Sequence, residues 1–186
     1  VRDICTSRTY QLATQTNASN KSDIRNFSHS SLRRIRSEIL LDCITQVTGT
    51  SNKFRGLPKG ARAVQIADGS TTNYFLQAFG RAKRETVCSC EVQMEPNLSQ
   101  ALHLMNDTMI RTLSTSFAER VIGEAGQKPY RQVEHAYQLA LNRQPSDEEK
   151  TLGQTALAEL TAHWKANPDD DKTPAATRAL AIYCHT

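Results

Sequence analysis

Apolar residues return at helical spacing along much of the chain. Leu32, Ile35, Ile39, Leu40, Cys43, Ile44 and Val47 form one arc and predict a helix over residues 30–48. Ser28 or Ser30 would cap its start, and Gly49 suits the left-handed position after its end. On this reading Cys43 is a small core hydrophobe. Arg34, Glu38 and Asp42 then follow at i, i+4 and i+8 on the opposite, solvated face as an ion-pair network. Arg36 falls inside the arc, where it must snorkel or find an acidic partner.

From residue 98 the helical period resumes. Leu98, Ala101, Leu102 and Met105 make one stripe, and Met109, Ile110, Leu113, Phe117 and Val121 continue it after the polar Asn106-Asp107 break. A further helix is expected from Pro129 to about Asn142. Ser146 with Glu149 is a capping box opening the next, through Leu152, Ala156, Leu160 and Trp164. Pro174 sits where a last helix would begin. The chain start, residues 1–13, reads as the end of a helix, and residues 14–29, rich in Thr, Asn and Ser, as a loop.

Residues 49–97 break the pattern. Gly49, Gly56, Pro58, Gly60, Gly69 and Gly80 punctuate them, so only short extended pieces are expected, at Arg62–Ile66 and Glu85–Gln93. The expected fold is mainly α: a single multi-helix domain over residues 1–186, with helices in 1–48, one long Gly-rich irregular excursion in 49–97, and a helical part in 98–186.

Composition adds limits. The 186 residues carry a net charge of +4, with 38% hydrophobic residues and a mean hydropathy of −0.54. That supports a packed core and leaves no run of about 20 apolar residues for a membrane span. Residues 1–92 hold 14 basic and 7 acidic residues, a net of +7; residues 93–186 hold 9 and 12, a net of −3. A basic half can attract anionic partners. Leu32-Arg33-Arg34-Ile35-Arg36 lacks aromatic interleaving or a known reading motif, which argues against nucleic acid.

Candidate chemistry is sparse. Cys88-Ser89-Cys90 would turn both thiols to one face of an extended segment. They could hold a metal with His103, form a disulfide or redox pair, or simply pack. The spacing is short for a zinc site, and His103 would have to fold back. The histidines show no ligand spacing, and there is no nucleophile elbow. Gly56-Leu57-Pro58-Lys59-Gly60 lacks the Gly-Lys-Ser/Thr end of a phosphate loop and reads as a proline turn. No Cys-x-x-Cys-His is present, so this chain holds no c-type haem of its own.

Six pieces in register resemble one family. They are Ser7-x-x-Tyr10-Gln11-Leu12; Asn26-Phe27-Ser28-His29 leading to Arg33-Arg34-Ile35-x-x-Glu38-x-x-x-Asp42; and Leu57-Pro58-x-Gly60-x-Arg62-Ala63-Val64-Gln65. Phe79-Gly80-Arg81-x-x-Arg84-Glu85-x-x-Cys88-x-Cys90-Glu91, Gln100 to Asn106, and Ala136-Tyr137-x-Leu139-Ala140-Leu141-x-Arg143-x-Pro145-Ser146-x-x-Glu149 complete the set. Together they resemble the domain of unknown function 1553, a planctomycete-type domain found beside cytochrome c-like segments. Relatives often carry Gly where Asp107 follows Asn106, which puts the turn there in question.

The resemblance implies a fragment of a C-terminal domain in a large exported bacterial protein, periplasmic or in the cell envelope, whose export signal lies far before Val1. It implies a companion domain of the 1549 type as partner, and any haem c in an upstream segment. It carries over no catalytic residue. It suggests a buried network in which Arg81 and Arg84 reach back to Glu38 or Asp42, with Arg34 and Glu85 among its charges. The expected function is an accessory or interaction domain. The alternatives are an envelope enzyme acting on anionic glycans at the basic Arg55–Glu91 loop, and a thiol redox or metal site at Cys88 and Cys90.

Overall fold

The computed structural model describes residues 1–67, 71, 73–82, 95–167 and 172–186. Their regular elements are helical: α1 (Arg2–Cys5), α2 (Ser37–Thr48), a 3-10 turn (Ala63–Gln65), α3 (Tyr74–Ala78), α4 (Leu98–Asn106), α5 (Thr108–Ala125), α6 (Pro129–Leu141), α7 (Asp147–Ala166) and α8 (Ala175–His185). The fold is mainly α, as expected. Arg62–Ile66 is not an extended segment: Ala63–Gln65 form the 3-10 turn, and only the flanking Arg62 and Ile66 have extended backbone. The Glu85–Gln93 piece lies outside the described residues. The chain divides into two compact units, Val1–Ile35 and Arg36–Thr186.

The first unit is held by side chains bonding to nearby backbone rather than by a core. α1 is only four residues long, so the helix expected over 1–13 is confined to its start. Asp23 accepts from the N–H groups of Arg25, Asn26 and Ser28 at 3.0, 2.8 and 3.1 Å. This turn places Phe27 at φ 54°. The Ser28 hydroxyl, then the N–H groups of Asn26 and Arg25, hold the Asp23 carboxyl well below the usual carboxylate range. Asn17 closes a second turn by accepting from Ser19 N–H at 2.9 Å. None of the unit's residues is buried.

In the second unit α2 starts later than its apolar pattern predicts. Arg36 is extended, at φ −63° and ψ 147°, and is the residue before the helix. Neither Ser28 nor Ser30 caps it. Gly49 ends it in the left-handed region at φ 69°, as expected. The buried line is Ser37, Leu41, Asp42 and Thr48, so the helix is turned relative to the predicted arc. Ile39 and Cys43 face solvent, which corrects the reading of Cys43 as a core residue. Arg36 is exposed and needs no buried partner.

α5 is the spine. Its N-terminal Ile110 joins a cluster with Leu41, Phe54, Ala63, Ile66, Phe75 and Leu76. Its Phe117, Ala118 and Val121 join a second cluster with Val133, Ala136, Leu157 and Leu180 from α6, α7 and α8. Helix ends follow the local signals. Asn97 and Gln100 form a capping box for α4, and Ser146 and Glu149 one for α7. Pro129 opens α6.

Two predicted stripes are displaced. α4 buries Gln100 and His103, leaving Leu98, Leu102 and Met105 at 74%, 49% and 65% exposure. α7 buries Gly153 and Leu157 while Leu152 is exposed. In both helices a polar or glycine position lies among those that fit against a neighbour. Gln100 donates to the Ala78 carbonyl at 3.0 Å, and Gly153 sits where a Cβ would stand 2.7 Å from Tyr183 Oη.

Candidate functional site

Glu38 and Asp42 lie one turn apart on α2, and both are turned inward rather than toward solvent as the spacing with Arg34 predicts. Arg34 precedes the helix, in the first unit, so the i, i+4, i+8 alignment does not form. Asp42 is 7% exposed. Its Oδ1 accepts the Ala63 N–H at 2.6 Å and its Oδ2 the Val64 N–H at 3.4 Å. These are the first free N–H groups of the 3-10 turn, the positions that a helix start cannot satisfy internally. Arg62 Nε adds an ion pair at 3.4 Å, but its side chain is 68% exposed. Asp42 therefore works as a remote cap, pinning the residue 62–66 turn onto α2.

Arg81 does the same for the next segment. Its backbone N–H donates to the Leu76 carbonyl at 2.8 Å across Gly80, whose φ of 82° turns the chain back after α3. The Arg81 side chain is 4% exposed and places Nε 3.5 Å from Glu38 Oε1. Nη1 donates to the Thr71 carbonyl at 3.2 Å and Nη2 to the Ile66 carbonyl at 3.5 Å. One guanidinium fork thus joins α2, the chain after the 3-10 turn, and the chain before α3. Arg84 and Glu85 lie outside the described residues.

His103 occupies the inner face of α4, with its side chain 3% exposed. Nδ1 is 3.1 Å from Asp107 Oδ2. The ring packs against Tyr74, Phe75 and Phe79 at centroid distances of 5.0, 5.7 and 5.9 Å. Nε2 is buried without a hydrogen-bond partner among the described residues. Asp107 also caps α5 by accepting from Met109 N–H at 2.6 Å. With φ −71° it needs no glycine, which settles the turn that the Gly-to-Asp departure had left open.

Cys88 and Cys90 lie outside the described residues. Among the described residues no group of three or more His, Cys, Asp or Glu is arranged to hold a metal ion. Cys5 and Cys43 are exposed free thiols, and burial pushes the Cys184 thiol up to about 12.

Sequence reasoning passed over Arg120. From α5 its Nη1 donates to the carbonyls of Gln46 and Val47 at 2.9 and 2.7 Å, capping the C-terminus of α2. Its Nε pairs with Glu124 at 2.7 Å, and His135 meets the same carboxylate at 2.6 Å. The i, i+4 placement of Arg120 and Glu124 was the available signal.

The described parts of the motifs that carried the resemblance run from the Asp42 cap through Arg81 to the α7 capping box. The profile of the family described as "protein of unknown function (DUF1553)" matches residues 1–157. The chain belongs to that family. The DUF1553 match ends at Leu157, inside α7, although Leu157 shares a core with Leu180 of α8. No curated protein and no solved structure matches the chain.

Proposed function

We propose that this DUF1553 chain is an accessory interaction domain of a large exported cell-envelope protein, holding a companion domain of the 1549 type near cytochrome c-like modules. The observation that carries the reading is the coreless first unit. Val1, Ile4, Ile24, Phe27 and Leu32 are exposed by 98%, 64%, 90%, 71% and 87%. Six basic residues against two acidic ones surround them. A stretch with apolar side chains and ordered turns but no buried residue has the make-up of a surface completed by a partner.

The role of the candidate charges agrees with this. Glu38, Asp42 and Arg81 are engaged with backbone and with one another. Of the two arginines the alternative glycan site at Arg55–Glu91 leaned on, Arg81 is buried at 4% side-chain exposure, and Arg84 lies outside the described residues.

The test is calorimetric titration of the chain with the companion domain of its own parent polypeptide. A saturable complex with a negative heat-capacity change is expected, weakened about tenfold or more by Phe27→Asp or Leu32→Asp. No complex at roughly 1 mM, the limit of weak association, overturns the proposal. So does hydrolytic or redox turnover by the chain alone.

A further inference from the structure

We propose that the turn held by Asp23 is the anchor of the companion-domain interface, its Ile24 and Phe27 side chains seating in an apolar pocket of the partner that carries carboxylates at its rim. The inference rests on the interaction reading above and names the part of the first unit that does the gripping.

Ile24 and Phe27 are 90% and 71% exposed and stand on one tight turn. A solvent-facing turn ordinarily shows its N–H groups and polar side chains to water. This one directs them inward. The Asp23 carboxylate accepts the N–H groups of Arg25, Asn26 and Ser28, and the Ser28 hydroxyl as well. The Ser28 carbonyl accepts from Asn20 Nδ2 at 3.3 Å, and His29 Nε2 lies 3.0 Å from the Asp23 carbonyl. Polar groups already bonded within the turn lose little when water is excluded, so this tip can enter an apolar pocket with a small desolvation penalty.

The turn is also fixed in advance. Phe27 holds φ 54°, an uncommon conformation for an aromatic residue, which persists only where its surroundings over-determine it. Neither Ile24 nor Phe27 is buried, so what these bonds hold in place is a pair of exposed apolar side chains. A loop ordered before binding loses less entropy on association.

Charge sets the chemistry of the partner. Lys21 and Arg25 flank the apolar pair and are exposed, while the Asp23 carboxylate is occupied by the turn's own N–H groups. The complement is an apolar pocket with Asp or Glu around it. A fluid anionic bilayer offers the same charge but accepts apolar side chains in any arrangement, so a turn of fixed shape favours the pocket.

The full chain is titrated calorimetrically with the companion domain of its own parent polypeptide, at two salt concentrations. Ile24→Ala and Phe27→Ala should each weaken the complex about tenfold or more, as central anchors do. Tyr10→Ala, an exposed aromatic outside the turn, should change affinity less than about threefold. Asp23 faces its own turn, yet Asp23→Ala should weaken binding about fivefold or more, because the turn must then be ordered on association. Arg25→Gln should flatten the salt dependence. Ile24 and Phe27 are exposed, so their truncation empties no core, as circular dichroism will verify. A wild-type complex that tolerates Ile24→Ala and Phe27→Ala within about twofold overturns the anchor and leaves the interaction reading standing. So does wild-type affinity in Asp23→Ala, or an unchanged salt dependence in Arg25→Gln. Absence of any wild-type complex overturns both. Phe27-dependent binding to phosphatidylserine vesicles, with affinity for the companion domain unmoved by Phe27→Ala, overturns the pocket in favour of a membrane.

Discussion

Asp42→Ala measures what the buried carboxylate does. Its oxygens satisfy the N–H groups of Ala63, a residue with 0% exposure, and of Val64. Truncation leaves the Ala63 N–H without its 2.6 Å acceptor, a loss of about 1–3 kcal/mol. The longer Val64 bond at 3.4 Å contributes less. The Arg62 pair, with one partner 68% exposed, adds at most about 1 kcal/mol. The expected total is about 3 kcal/mol, equivalent to a fall in Tm of roughly 6–12 °C for a chain of this size. Asp42→Asn keeps one carbonyl for Ala63 but turns an amide donor toward Val64 and Arg62, so about 1–2 kcal/mol is expected. Arg62→Ala should cost under about 1 kcal/mol. Urea unfolding followed by far-ultraviolet circular dichroism gives all three, read from midpoints at unchanged slope. If Asp42→Ala costs less than about 1 kcal/mol, or if Arg62→Ala matches it, the capping argument is wrong and the residue is an ordinary surface ion-pair partner.

Three further outcomes are expected. Gly153→Ala places a Cβ 2.7 Å from Tyr183 Oη and 2.9 Å from Val133 Cγ2, so overpacking of about 1–3 kcal/mol should outweigh the helix-propensity gain of up to about 1 kcal/mol. A stabilised variant in thermal unfolding would refute the close approach of α6, α7 and α8. The Arg143 guanidinium, helped by the Ser146 N–H, holds the Glu149 carboxyl down at about 2, against the usual 4.5. A carboxyl held below its unfolded value stabilises the fold above pH 4.5, and that contribution is lost as pH falls toward about 2. A carbon-13 titration of Glu149 should show its midpoint rise in Arg143→Gln, and an unmoved midpoint counts against the pair. Finally, Cys5 and Cys43 should react with a thiol reagent at mildly alkaline pH while Cys184 stays unlabelled until the chain unfolds. Early labelling of Cys184, read by mass spectrometry of its peptide, would contradict its burial.

Where an element's ends depend on its own residues, the sequence reads well. The Ser146–Glu149 box, Pro129 at the start of α6 and Gly49 after α2 are signals whose partners lie within a turn. Which face of a helix turns inward was read less well. The apolar arc of α2 included Ile39 and Cys43, which are exposed, while the polar Asp42 and Ser37 are buried beside Leu41. The cause is a turn 21 residues away, whose N–H groups need a carboxylate and draw that face inward. α4 repeats the lesson, since Gln100 and His103 are buried because Ala78, Asp107 and three aromatic rings accept them. The thiol pair Cys88 and Cys90, with Arg84 and Glu85, lies outside the described residues, so its reading stands as it did.

By itself the sequence determined the mainly helical class, the helix boundaries that carry local caps, the charge asymmetry and, through six motifs in register, the family. Helical spacing put Glu38 and Asp42 on a solvated face while the family resemblance put them in a buried network with Arg81, and tertiary structure decided for the buried arrangement of Glu38, Asp42 and Arg81. The physical reason is one of range. Helix propensity and capping are settled over a few neighbouring residues, whereas a buried charge is sited by the distant backbone groups it must satisfy.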